Sequence, residues 1–179
     1  MEAGAPIVIV SGPPGSGKTS VAHALAALFA RSVCVPVDDL REWVVSGIAH
    51  PVPEWTDETA RQFQLAEDAV TDMARRYRDA GFAVVIDHCR LPENIDAWVA
   101  RSFSDGEAFK VALLPHLSTC LKRNRARTDK DFDPVVLEPA IRSIRSAYDQ
   151  ADLRDWFVTP NLGTVQEAAL EVFQAVCDA

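Results

Sequence analysis

Cysteine is scarce in this chain: Cys34, Cys89, Cys120 and Cys177 are the only four among 179 residues, widely separated and without a C-x-x-C pair. That pattern excludes a disulfide framework, and with no apolar leader peptide ahead of them the thiols are expected to stay reduced in a cytoplasmic protein. Long apolar runs are absent too. None reaches the roughly 20 residues that a membrane helix needs, so no membrane association is expected. Basic charge is in short supply: 18 Lys and Arg stand against 26 Asp and Glu, a net charge of −8. Such a balance disfavours a nucleic-acid backbone as partner and fits a small molecule better. There is no internal repeat and no low-complexity tract, and Met1 to Pro6 is expected to be an untethered start. The length suits one α/β domain spanning residues 1–179, able to bury its core without covalent staples.

Against these absences one segment stands out. Gly12-Pro-Pro-Gly-Ser-Gly-Lys18-Thr19 follows the apolar run Ile7 to Val10 directly and precedes a helical pattern, which is the setting of a phosphate-binding P-loop. A glycine-rich turn lets consecutive backbone N–H groups converge on phosphate oxygens at the positive end of the next helix. Lys18 adds a point charge for the outer phosphates, and Thr19 a hydroxyl for a magnesium ion. The expected nucleotide-binding set is Gly12, Gly15, Ser16, Gly17, Lys18, Thr19 and Ser20, with ATP and magnesium as cofactors. Pro13 and Pro14 donate no hydrogen bond, so they belong at the approach to the loop.

Five apolar runs alternate with helical patterns, the sequence form of a parallel sheet covered on both faces: Ile7 to Val10, Val33 to Val37, Ala83 to Ile86, Phe109 to Leu114 and Trp156 to Val158. Pro36 lies inside the second run and would remove a ladder hydrogen bond, so that strand belongs at a sheet edge. The expected fold is a three-layer, doubly wound, five-stranded parallel sheet in the order 2-3-1-4-5. Helices are expected over 18–30, 57–80, 92–103, 117–127, 134–150 and 165–177, the last opened by a capping box of Thr164 and Glu167.

In such sheets ligands collect beyond the carboxyl ends of the strands, where this chain carries Ser11, Asp38 with Asp39, Asp87, Pro115 and Thr159. Asp38 is either an N-cap for a helix through Leu40 to Val45 or a catalytic carboxylate. Asp87 closes Ala83-Val-Val-Ile-Asp87, the form of a strand-end acid that orients a magnesium shell, so Thr19 and Asp87 are the expected metal pair. His88 follows it where motor ATPases generally carry a glutamate, which argues against a hydrolytic motor. Five bases, Lys122, Arg123, Arg125, Arg127 and Lys130, crowd nine residues of an acidic chain. Arg123 and Arg127 are spaced i,i+4 and share a helix face, while 128–134 is polar and turn-rich, as a lid would be. A lid over about 123–134 would bring both arginines onto a transferring phosphoryl group; Arg125 and Lys130 instead suit a solvated helix end.

Four segments together resemble the small-molecule kinases of the P-loop superfamily, most closely the chloramphenicol phosphotransferase-like group: Gly12 to Thr19; Val37-Asp38-Asp39-Leu40; Gly81-Phe-Ala-Val-Val-Ile-Asp87; and Arg123-Asn-Arg-Ala-Arg127. The resemblance implies ATP-dependent phosphorylation of a hydroxyl on a small molecule such as an antibiotic, sugar or metabolite, with Asp38 as general base and Lys18, Arg123 and Arg127 as the other catalytic groups. It also implies an acceptor-pocket insertion at about 40–70, where Trp43 and Trp55 serve either to stack on a flat acceptor or to pack; Phe63, Leu65 and Val70 are expected to pack the helix. Two alternatives remain: a nucleotide or polynucleotide kinase of the same fold, and a nucleotide-dependent binding module with no acceptor. The absence of an Asn-Lys-x-Asp segment disfavours a GTP switch. His88 and Cys89 lack the partners for a metal or nucleophile site, and His23 and His116 belong to no partner pattern.

Overall fold

The computed structural model of the chain describes residues 5–126, 134–161 and 163–179. Its five strands are β1 (Ile7–Ser11), β2 (Ser32–Pro36), β3 (Ala83–Asp87), β4 (Ala108–Leu113) and β5 (Phe157–Thr159). They form one sheet in the order β2-β3-β1-β4-β5, every pairing parallel. The order is the expected one, and Pro36 does lie on an edge strand, paired only with β3.

Successive side chains of a strand point to opposite faces, and the two cores divide accordingly. Ile7 and Ile9 of β1, with Val84 and Ile86 of β3, meet helices α3 (Asp57–Asp79), α4 (Pro92–Ser102) and α6 (Glu138–Gln150) through Val70, Ala74, Ile95, Trp98 and Tyr148. Val8, Val10 and Val85 meet α1 (Lys18–Ala26) and α7 (Val165–Cys177) through Val21, Leu25, Ala168 and Val172. β1, which delivers the glycine-rich loop, is buried along its whole length, as is its neighbour β3. Two further helices, α2 (Val37–Glu42) and α5 (Leu117–Arg125), lie at the carboxyl ends of β2 and β4.

Several expectations are corrected. The helix after β2 starts at Val37 with Pro36 at its N-cap position, so Asp38 is no N-cap; it lies in the first turn, with its carboxylate exposed. Pro36 cannot extend the ladder, and the backbone turns helical one residue earlier than the apolar pattern implies. Helix α1 ends at Ala26 rather than Ala30. Residues Pro134–Leu137 form a 3-10 turn ahead of α6. Leu65 is 54% exposed on the outer side of α3, whereas Phe63 and Val70 are buried. The capping box at Thr164 is present, the side chain of Thr164 accepting from the Glu167 N–H and the Glu167 carboxylate accepting from the Thr164 N–H. Among the described residues no helix is long and apolar enough to cross a membrane.

Trp98 is the largest fully buried side chain, edge-on to Phe103 and His88, with its indole N–H donated to Thr71 Oγ1 at 3.0 Å. Trp98→Ala is expected to cost about 3–5 kcal/mol of folding stability, measured by urea denaturation, because the lost contacts leave a cavity the sheet cannot close.

Candidate active site

The loop between β1 and α1 is shaped by backbone that only glycine supplies. Gly12 has φ 140° and Gly15 φ 79°; a Cβ at Gly15 would sit 2.3 Å from the Cys120 carbonyl oxygen, and one at Gly12 2.4 Å from that of Leu113. The loop is thus pressed against the end of β4 and the helix behind it. Within it the Pro13 carbonyl accepts from the Ser16 N–H at 3.1 Å and from Lys18 Nζ at 3.1 Å. The Ser16 carbonyl is held twice, by Asn161 Nδ2 at 2.6 Å and by Arg123 Nη1 at 3.2 Å. Asn161 carries φ 44° and lies just beyond β5, a residue that sequence reasoning missed. Its place at a strand exit, two residues past Thr159, was the available signal.

A phosphate fits this cradle. Lys18 is nearly buried, its ammonium turned back onto the loop's own Pro13 carbonyl, and Ser16 Oγ is buried with no hydrogen-bond partner. An anion would supply what both lack.

Beside the loop, Thr19 Oγ1 donates to Asp87 Oδ2 at 2.5 Å, joining the start of α1 to the end of β3. Burial pushes the Asp87 carboxyl above the ordinary range, opposed by the Lys18 charge and the Thr19 bond and reinforced by Asp38. One carboxylate and one hydroxyl are a donor set that suits magnesium, which keeps much of its hydration shell. The two candidate bases separate by their surroundings. The Asp38 charge bears on Asp87, Cys89 and Arg41, whereas that of Asp39 bears on the Cys34 thiol of β2. Burial, aided by Asp87 and Asp39, pushes that thiol up to about 12.

Farther from the loop, buried Glu67 of α3 meets His88 Nε2 at 3.1 Å, Arg101 Nη2 at 2.8 Å and Arg90 Nε at 3.3 Å. Burial opposes its ionisation, but the bonds from His88 and Arg101 outweigh it and hold the carboxyl below its ordinary range. His88 is thereby engaged as a structural partner. Tyr148 of α6 donates to Ser11 Oγ at 2.7 Å and also approaches the Arg90 carbonyl at 3.2 Å, tying the root of the loop to the segment after β3. Of the expected site residues, Thr19 bonds Asp87, the Lys18 and Asp38 charges both reach Asp87, and Arg123 holds the loop at the Ser16 carbonyl. Arg127, Lys130 and most of the expected lid lie outside the described residues. Arg125 pairs with Glu138 and leaves the site.

Residues 7–151 match the AAA domain family. The chain belongs to that family. No curated protein matches it in sequence. Its fold is similar to that of a sugar kinase from a Janibacter species, with a TM-score of 0.69 at 18% identity over 97% of this chain and 95% of the other. It is similar too to the shikimate kinase from Acinetobacter baumannii in complex with shikimate, with a TM-score of 0.63 at 19% identity over 97% and 94%. The tunicamycin resistance protein of Deinococcus radiodurans has a TM-score of 0.66 at 19% identity over 96% and 95%. The architecture of this AAA-domain chain is thus that of the P-loop kinases.

The AAA-domain site also makes a prediction from Asp87. A carboxyl raised by burial in the folded state favours the protonated form. Its penalty is absent below the unfolded pKa and complete above the folded one. Asp87→Asn is therefore expected to raise the melting temperature of the ligand-free protein at neutral pH and to flatten its decline as pH rises through the carboxylate range. The same variant should lose most of the extra stabilisation that magnesium and ATP together confer. Thermal melts from pH 4 to 8, with and without both ligands, check the two halves.

Proposed function

We propose that this chain is an ATP- and magnesium-dependent phosphotransferase that moves the γ-phosphoryl group to a hydroxyl of a small molecule in the cytoplasm. The observation that carries the reading is the Thr19–Asp87 bond beside Lys18, with the Asp38 charge bearing on the same carboxylate. A metal pair, a phosphate lysine and a candidate base in one place are what phosphoryl transfer asks for. The fold adds support, because proteins described as a sugar kinase, a gluconokinase and a shikimate-bound shikimate kinase share it.

In this mechanism the loop from Gly12 to Ser20 and Lys18 bind the β- and γ-phosphates. Thr19 and Asp87 hold magnesium, which when bound neutralises charge on the phosphate oxygens. Asp38 accepts the proton of the acceptor hydroxyl, and Arg123, released from the Ser16 carbonyl, joins Arg127 in stabilising the transferring group. Residues 1–179 act as one domain, with an acceptor insertion at about 40–70 and a lid at about 123–134 that excludes water.

The test is transfer of labelled γ-phosphate from Mg-ATP to pooled nucleosides, nucleotides, sugars, hydroxylated metabolites and antibiotics. A labelled product that requires magnesium upholds the proposal. Tight ATP binding with no labelled product and no acceptor-stimulated turnover in any pool would instead favour a nucleotide-binding module.

A further inference from the structure

Two guanidinium groups meet on the acceptor side of the site, Arg41 within the field of Asp38 and Glu42 and Arg90 beside Glu67, and neither uses its Nε in a hydrogen bond. Arg41 stands one turn after Asp38 on α2, so the two share a helix face. It is only 6% exposed, with its guanidinium carbon 3.8 Å from the centroid of the Phe63 ring. Its Nη2 donates to the Ala49 carbonyl at 2.6 Å, while its buried Nε has no partner. Arg90, three residues beyond Asp87, lies 4.9 Å from the same ring and 5.0 Å from Trp55, which stacks on Phe63 at 5.0 Å. Its Nε is also buried without a hydrogen bond. Its one carboxylate neighbour is Glu67, already shared with His88 and Arg101.

A loop-holding role does not account for this. Holding the Ala49 carbonyl needs one neutral N–H, and Gln62 does the equivalent work for the Gly47 carbonyl and the Ala49 N–H. Two desolvated cations side by side repel, and the Glu67 carboxylate, shared three ways, together with the exposed Asp38 offsets only part of that. A guanidinium edge with a free Nε presents the planar fork that matches a carboxylate or phosphate, and an aromatic platform fixes its plane.

We propose that the acceptor carries an oxyanion, a carboxylate or a phosphate ester, received by Arg41 and Arg90 against the Phe63–Trp55 stack while its hydroxyl meets Asp38. The inference rests on the phosphotransferase reading and narrows it: hydroxylated acids or phosphorylated polyols are accepted, and cationic hydroxyl compounds are rejected.

The test is calorimetric titration of the full chain saturated with Mg-ADP, so that the phosphate loop is already filled. Three anionic probes are each compared with a neutral partner: gluconate with glucitol, glucitol 6-phosphate with glucitol, and shikimate with its methyl ester. At least one anion is expected to bind about tenfold or more tighter than its neutral partner, the span of one or two charge-assisted hydrogen bonds. The carboxylate and phosphate arms tell which oxyanion is preferred. Arg41→Gln, which keeps a donor for Ala49, and Arg90→Gln should each bring the preference down to about threefold or less, and Arg41→Lys should restore only part of it. If one glutamine variant melts early, the other carries the comparison. No preference for an anion in any pair, absence of binding included, overturns the proposal, as does a preference that survives both substitutions. Label transfer is scored separately. Anion preference without transfer keeps the receptor and removes the phosphotransferase reading, whereas transfer to neutral or cationic acceptors without anion preference does the reverse.

Discussion

Lys18→Ala is expected to lower phosphoryl transfer by about a thousandfold while leaving the fold intact, because a preorganised charge on the transferring group is worth on the order of 10²–10³ or more in turnover. The side chain opens α1 and folds back onto the Pro13 carbonyl. Removing it frees an acceptor at the loop and takes a positive charge from beside Asp87 and Cys89. The decisive comparison is kcat with saturating Mg-ATP and a labelled acceptor, alongside the melting temperature. Turnover within tenfold of the parent would remove Lys18 from the mechanism.

Asp38→Asn is expected to reduce kcat by about 10²–10⁴-fold, the usual contribution of a positioned general base. Asp39→Asn should stay within about threefold, since its charge reaches the Cys34 thiol, whereas that of Asp38 reaches Asp87 itself. Both carboxylates are exposed on the same short helix, so neither change removes a buried contact. Parallel kinetics of the two variants make the ranking the result. The reverse ranking would move the base by one residue, and two mild variants would mean that the acceptor hydroxyl loses its proton to something other than this helix.

The fold was legible because its signals are local. The phosphate loop sits in a contiguous strand–loop–helix segment, Pro36 marked the edge of the sheet, and Thr164 with Glu167 marked a helix start three residues apart. Asp87 could be read for a similar reason, as an acid at the end of an apolar run. The misreadings arose where tertiary context overrode pattern. Of the two readings left open for Asp38, the N-cap is excluded because the helix begins at Val37. Leu65 looked like core, yet α3 turns it outward. What sequence could not bring together was the furniture around the site. Asn161 reaches Ser16 across 145 residues, Tyr148 reaches Ser11 across 137, and Arg41, Phe63 and Arg90 come from three separate elements. No spacing rule links positions so far apart; the parallel sheet, which sets its strand exits side by side, and the packing of α3 and α6 over one face bring them together.

The double hold on the Ser16 carbonyl bears on how far the site is modular. One of its two donors, Asn161, comes from beyond the stretch that matches the family, which ends at residue 151. β5, which leads into it, and α7, which follows it, lie beyond the same limit. A piece cut at that boundary would keep every residue of the eight-residue motif and still lose a strut that fixes one of its peptide planes. The motif names the ligand, while the stiffness with which it is presented belongs to the chain's far end. A graft of the loop onto another scaffold would carry the name without the stiffness.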